Sequence, residues 1–168
     1  MTTRERFHKL MNGDPTLDAA PAIEWAVWWN KTLEEWEEAG MPRNMTQEQV
    51  FDYFGLDNNT QFWFPALKPD CPKIRTGHGT PIIIKDEEDY KRLRDYFLPD
   101  NSVERMMEKI QRTIPKYEKG ETIVWYTLQG FFWFPRVLFG DEAQLYAFYD
   151  YPELYHQICE DLLEWQIK

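Results

Sequence analysis

The stretch Thr122-Ile123-Val124-Trp125-Tyr126-Thr127-Leu128-Gln129-Gly130-Phe131-Phe132-Trp133-Phe134-Pro135-Arg136, followed by Gly140-Asp141, decides how this chain is read. A β-branched and aromatic run of this length predicts a buried strand. Gly130 breaks it, an aromatic loop follows, and helical spacing resumes toward Arg136. A strand that passes through a loop into a helix is the basic unit of an α/β fold. In such folds ligands sit where the loop leaves the carboxyl end of the strand and the next helix offers unpaired N–H groups. The stretch holds no nucleophile–base pair and no metal-ligand spacing, so it indicates a place for a ligand rather than a reaction.

Outward from this point the pattern alternates. Upstream, residues 21–29 predict a second buried strand, with Ile23, Trp25, Val27 and Trp29 on one face and Ala22, Glu24, Ala26 and Trp28 on the other. Thr2 with Glu5 and Thr46 with Gln49 have capping-box spacing. Asn30 can cap a short helix ended by Gly40-Met41-Pro42. Between residues 58 and 84, Pro65, Pro69, Pro72 and Pro81, together with Gly77 and Gly79, forbid long helices. Short extended pieces at 61–64, 73–76 and 81–84 predict one or two hairpins. Asp86 caps a helix with Tyr90, Leu93 and Phe97 on one face. Ser102 is expected to cap another that Pro115 kinks or ends and Gly120 closes. Gly140-Asp141 opens a short helix, and Pro152 starts a last one with Tyr155, Ile158, Leu162 and Trp165 as its buried stripe.

Composition narrows the partners. A chain of 168 residues is expected to be one domain over 1–168 and to bury roughly 70% of its unfolded surface. Eight Trp within a 17% aromatic content imply a large apolar payload, in a core or around a ligand. The formal charge of −10 argues against nucleic acid and against an anionic membrane surface, since both demand clustered Lys and Arg. Cys71 and Cys159 are isolated, without a CxxC. Residues 1–11 lack the apolar core of a secretory signal, and no run approaches the roughly 20 apolar residues of a span. A cytoplasmic location is the expectation.

The ordered set of motifs resembles the amino-terminal half of the uroporphyrinogen decarboxylase-like superfamily. Thr3-Arg4-Glu5-Arg6-Phe7 with Leu10 and Gly13 looks like its opening helix, and residues 21–29 with the segment 32–42 like its first strand and helix. Residues 77–81 with Glu88-Asp89-Tyr90-Lys91-Arg92-Leu93 look like the hairpin and helix before the second strand. Gln129-Gly130-Phe131-Phe132, Leu138-Phe139-Gly140 and Tyr151-Pro152-Glu153-Leu154 look like the next strand end and helix starts. The resemblance implies an α/β fold: a partial (β/α) TIM-type barrel with an inserted β-hairpin, half of a full barrel. Such a barrel usually takes about 250 residues. This implies either a fragment or a shortened relative, with self-association or a second chain supplying the missing half and covering open strand edges. The implied function is that of a methyltransferase-type protein acting on or binding a corrinoid-linked methyl donor. Alternatives are a tetrapyrrole carboxy-lyase and a non-catalytic binding or assembly module. The decarboxylases' arginine-rich segment after the first strand is replaced here by Ala26-Val27-Trp28-Trp29-Asn30-Lys31, which argues against the carboxy-lyase. The methyltransferases' zinc motif, His-x-Cys with a distant Cys, has no counterpart here, so no zinc is predicted in this chain. A corrinoid or porphyrin is the implied ligand.

The candidate site residues each carry a bland reading beside the functional one. Glu24, between Ala22 and Ala26, is either a buried acid–base carboxylate with a raised pKa, or one paired with an arginine such as Arg136 or lying near the surface. His78, in Gly77-His78-Gly79, is a proton donor reaching over a pocket or an exposed turn residue. Trp28, Trp29, Phe131 and Phe132, at strand ends, could line a flat apolar site, or they are packing between sheet and helices. Arg136 is the best anion anchor, with an ion pair to Asp141 or Glu142 as its other reading. Gln129 is the best neutral polar contact.

Overall fold

The computed structural model describes residues 1–74 and 81–168. The predicted hairpin turn, including His78, lies outside the described residues. The rest packs as two compact units, each built from two stretches of sequence: Met1–Phe62 with Glu108–Tyr126, and Trp63–Met107 with Thr127–Lys168.

The first unit holds α1 (Thr3–Met11), α2 (Asn30–Glu38) and α3 (Gln47–Tyr53). After them come β1 (Asn59–Trp63), then most of α5 (Met107–Glu118) and of β2 (Ile123–Thr127); α4 (Glu87–Leu93) belongs to the second unit. Both predicted capping boxes form: Thr2 and Glu5 satisfy each other's main-chain N–H groups at α1, and Thr46 and Gln49 do so at α3. β1 and β2 pair side by side as a two-stranded parallel sheet. Asn59 fastens this pair sideways. Its Oδ1 accepts from the Trp125 indole N–H at 3.1 Å, and its Nδ2 donates to the Glu24 carbonyl at 2.9 Å.

The unit is held at one polar point. The Asp57 carboxylate is 8% exposed. Its Oδ1 accepts from the Thr3 hydroxyl at 2.9 Å and from Arg6 NH1 at 2.7 Å, and its Oδ2 accepts from the Ala22 N–H at 2.9 Å. The Asp57 N–H in turn donates to the Ala22 carbonyl at 2.8 Å. One side chain thus joins α1, the segment entering residues 21–29, and the approach to β1. A second close contact sets the start of α1. Gly120 has φ +77°, and a Cβ there would lie 2.7 Å from Thr2 Oγ1, so only glycine fits.

Residues 21–29, predicted as a strand, run as irregular chain. Two physical causes are visible. Glu24 Oε1 accepts from the N–H groups of Trp25 and Ala26, which gives those donors a local partner in place of a ladder. Trp25, Val27 and Trp29 also find no second layer and remain exposed.

The second unit is mostly helical: α4, α6 (Trp133–Phe139), α7 (Ala143–Asp150) and α8 (Pro152–Ile167). Its core joins Ile83, Ile84, Leu93, Phe134, Leu138 and Leu162. The predicted stripe Tyr90, Leu93, Phe97 is buried, and Asp86 caps α4 by accepting from the Asp89 N–H. Ile74 and Ile82 form an isolated antiparallel bridge where hairpin arms were expected. Ser102 does not cap a helix. Its hydroxyl donates to the Pro99 carbonyl, a 3-10 turn follows at Glu104–Met106, and α5 begins only at Met107. Pro115 does not end α5, which runs on to Glu118.

Tyr90 anchors α4 to α8. Its hydroxyl donates to Asp161 Oδ2 at 2.5 Å, Arg94 NH1 lies 2.7 Å from the same oxygen, and Gln157 donates to Oδ1 at 3.0 Å. Burial, and then the bond to Asp161, push the Tyr90 phenol far above its usual range.

Two predictions follow from these anchors. Asp57→Ala leaves Arg6, Thr3 and the Ala22 N–H without their acceptor, and should cost about 2–4 kcal/mol, read as a lower urea midpoint at unchanged slope. An unchanged midpoint refutes the role given to Asp57. For Tyr90, the folded state keeps a phenolic proton that the unfolded chain releases near its ordinary pKa of 10.0. Stability is therefore complete below that pH and falls as pH rises through it. Tyr90→Phe should lower stability by about 1–2 kcal/mol at neutral pH and shrink the alkaline loss, in urea titrations between pH 8 and 11. An alkaline slope equal to that of the parent protein refutes it.

Candidate ligand-binding site

The carboxyl end of β2 leads into residues 128–132, and α6 starts when the Phe134 N–H donates to the Gly130 carbonyl at 2.8 Å. Pro135 occupies an early turn of α6, where its missing N–H costs nothing. Helical geometry then divides the aromatic run. Phe134 and Phe139 point into the core at 0% and 1% exposure, while Phe131, Phe132 and Trp133 stay about half exposed.

The junction is clamped from α7 and α8. The Tyr155 hydroxyl donates to the Phe131 carbonyl at 3.3 Å and accepts from Gln144 Nε2 at 3.1 Å. Cys159 Sγ lies 3.7 Å from the same carbonyl, and burial raises the thiol pKa. Gln166 Nε2 donates to the Gln129 carbonyl at 2.5 Å. The Gln129 side chain is half-buried, and its Oε1 is shielded from solvent with no hydrogen-bond donor among the described residues. Phe132 stacks on Phe148 at 6.3 Å, and Phe148 on Tyr155 at 4.3 Å. The main chain of the junction is therefore fixed, while three aromatic side chains face outward.

Arg136 adopts the blander of its two readings. Its Nε donates to Asp141, and its guanidinium lies 4.5 Å from the centre of the Trp133 ring. An anion reaching this arginine would meet a charge already balanced.

The remaining candidates lie in the first unit. Trp28 packs edge-on against Trp36 at 5.2 Å and Phe51 at 5.6 Å, with Phe54 at 6.4 Å. That is a packing role. Trp29 is 81% exposed and immediately precedes α2. Glu24 is half-buried, with Oε1 turned back on its own main chain. The described candidates thus fall into two sets, Gln129, Phe131, Phe132 and Arg136 in one unit, and Glu24, Trp28 and Trp29 in the other.

Two polar centres escaped the sequence reading. Asp161 occupies a position in the buried register of α8, between Ile158 and Leu162, and an acid on an apolar stripe is a readable signal. Asp57 gave none, because it sits in the polar run Asp57-Asn58-Asn59-Thr60. Among the described residues, no group of three or more His, Cys, Asp or Glu side chains converges to hold a metal ion, and no helix is long and apolar enough to cross a membrane. In comparisons with known proteins, no family model, no curated protein and no solved structure matches this chain.

The division of the tryptophans can be measured. Trp28→Ala should cost about 2–4 kcal/mol because three rings lose their partner, whereas Trp29→Ala should stay within about 0.5 kcal/mol of the parent. Equal urea midpoints for the two variants contradict this assignment.

Proposed function

We propose that this protein binds a flat, largely apolar ligand against the aromatic junction after β2. The ligand class is a corrinoid-linked methyl donor, and the chain acts as the amino-terminal half of a methyltransferase-type barrel of the uroporphyrinogen decarboxylase-like superfamily. The observation that carries this reading is the exposure of Phe131, Phe132 and Trp133 on a main chain clamped by Tyr155 and Gln166. Exposed aromatic side chains on a rigid support keep apolar area available and pay little ordering entropy on binding. Their position at the carboxyl end of a parallel strand is where α/β proteins place ligands.

The residues present fit a corrinoid better than a polycarboxylate. The exposed aromatic rings suit the edge and face of a macrocycle. Arg136, beside the junction, is held by Asp141, which weighs against recognition of a tetrapyrrole's several carboxylates. A bound corrinoid would supply the methyl-transfer chemistry; this chain's own residues would supply wall and orientation.

Equilibrium dialysis with hydroxocobalamin tests the proposal. Binding in the micromolar range is expected, weakened at least tenfold, or about 1.4 kcal/mol, in the double variant Phe131→Ala/Phe132→Ala. No binding at millimolar ligand, or equal binding by the double variant, overturns it.

A further inference from the structure

The first unit contains a separate cleft of about 470 Å³, within the range of small-ligand sites. It lies between the irregular segment 21–29, the first turn of α3 and the strand β1. Its wall is unusual in composition. The Trp25 indole, 65% exposed, and the neighbouring Val27 give one apolar face. Gln47, Asn58 and Thr60 bring amide and hydroxyl groups to the same lining. Glu48 and Lys109 bring one carboxylate and one ammonium, and Thr46, Asn59, Gln61 and the buried ring of Phe51 complete the lining.

The charged groups are already spent. Glu48 is paired with Lys116, and Lys109 donates to the Gln61 carbonyl at 2.6 Å while lying 5.2 Å from the Phe62 ring centre. The Glu48 charge is thus neutralised, while the Lys109 ammonium is engaged by a neutral carbonyl and a ring face. The polar lining is also held in place. Asn58 Nδ2 donates to Asp52 at 2.9 Å, and Asn59, at the floor, is engaged at both ends of its amide by Trp125 and Glu24. A fixed amide presents its remaining acceptor without further ordering cost.

A wall with one exposed indole, neutral hydrogen-bonding groups in the same lining and both charged groups already engaged is complementary to a molecule with an apolar C–H face and a rim of hydroxyls. We propose that this cleft is a saccharide-binding site: the sugar ring lies on Trp25, and its hydroxyls meet Gln47, Asn58 and Thr60. The site is independent of the corrinoid reading and involves none of the residues at the β2–α6 junction.

Saturation-transfer NMR and tryptophan-fluorescence titration with methyl β-glucoside, cellobiose and maltotriose test it on the whole chain. Millimolar binding of at least one of the three is expected. Trp25→Ala should weaken it at least tenfold and Gln47→Ala about threefold, while Tyr149→Ala, which removes an 87% exposed ring elsewhere, should leave it unchanged. Trp25 is exposed, so its loss is not expected to unfold the protein, and circular dichroism of each variant checks this. Absence of binding by all three sugars at 50 mM overturns the proposal, as does equal weakening by Trp25→Ala and Tyr149→Ala, which marks non-specific stacking.

Discussion

The carboxylate of Asp57 is the constraint on which the first unit depends. It accepts from a hydroxyl, a guanidinium and a main-chain N–H at once, and these come from α1 and from the segment leading into residues 21–29. A nearly buried carboxylate is tolerated only when its charge is matched and its lone pairs are occupied, and here three donors meet that condition. The placement of β1 follows, since Asp57 lies two residues before it. Asn59 then passes the order on, one end to Trp125 of β2 and the other to the main chain at Glu24. Each neighbour of the strand pair is thus located by a polar side chain rather than by an extended ladder.

The second unit obeys a different logic. Its helices meet through an apolar core, and a buried polar centre, Tyr90 with Asp161, fixes how α4 and α8 are set against each other. Arg94 and Gln157 complete that centre, so the carboxylate has a cation and two further donors. The β2–α6 junction benefits from this rigidity. Because α8 is held at Asp161, its Tyr155 and Gln166 can grip the carbonyls of Phe131 and Gln129 at fixed points.

Aromatic content alone does not separate packing from recognition, and the structure sorts it by support. Trp28 is enclosed by three rings, and Phe134 and Phe139 are core. Phe131, Phe132 and Trp133 stand half exposed on a clamped main chain, and Trp25 lines a cleft rich in polar groups. The same residue types therefore suggest two sites of different chemistry, one apolar and broad, the other narrow and rich in hydrogen-bonding groups.

Local signals were legible wherever a few neighbouring residues carry the physics. The Thr2–Glu5 and Thr46–Gln49 boxes, the Asp86 cap, the stripe Tyr90–Leu93–Phe97 and the β-branched run of β2 all form, because capping and amphipathic burial act over one or two turns. Residues 21–29 show the limit. Their alternation suits a strand, yet a strand exists only if a neighbour offers an edge, and Glu24 supplied its own main chain with an acceptor instead. Ser102 shows the same limit, since the Pro99 carbonyl claimed its hydroxyl. The candidate site divided in the same way: the aromatic junction and an ion pair of Arg136 with Asp141 or Glu142 could be read from the sequence, but the choice of Asp141 and the donors that converge on Asp57 could not. Those are contacts between segments distant in sequence or chosen among several local partners, and only the folded chain decides which groups come within reach.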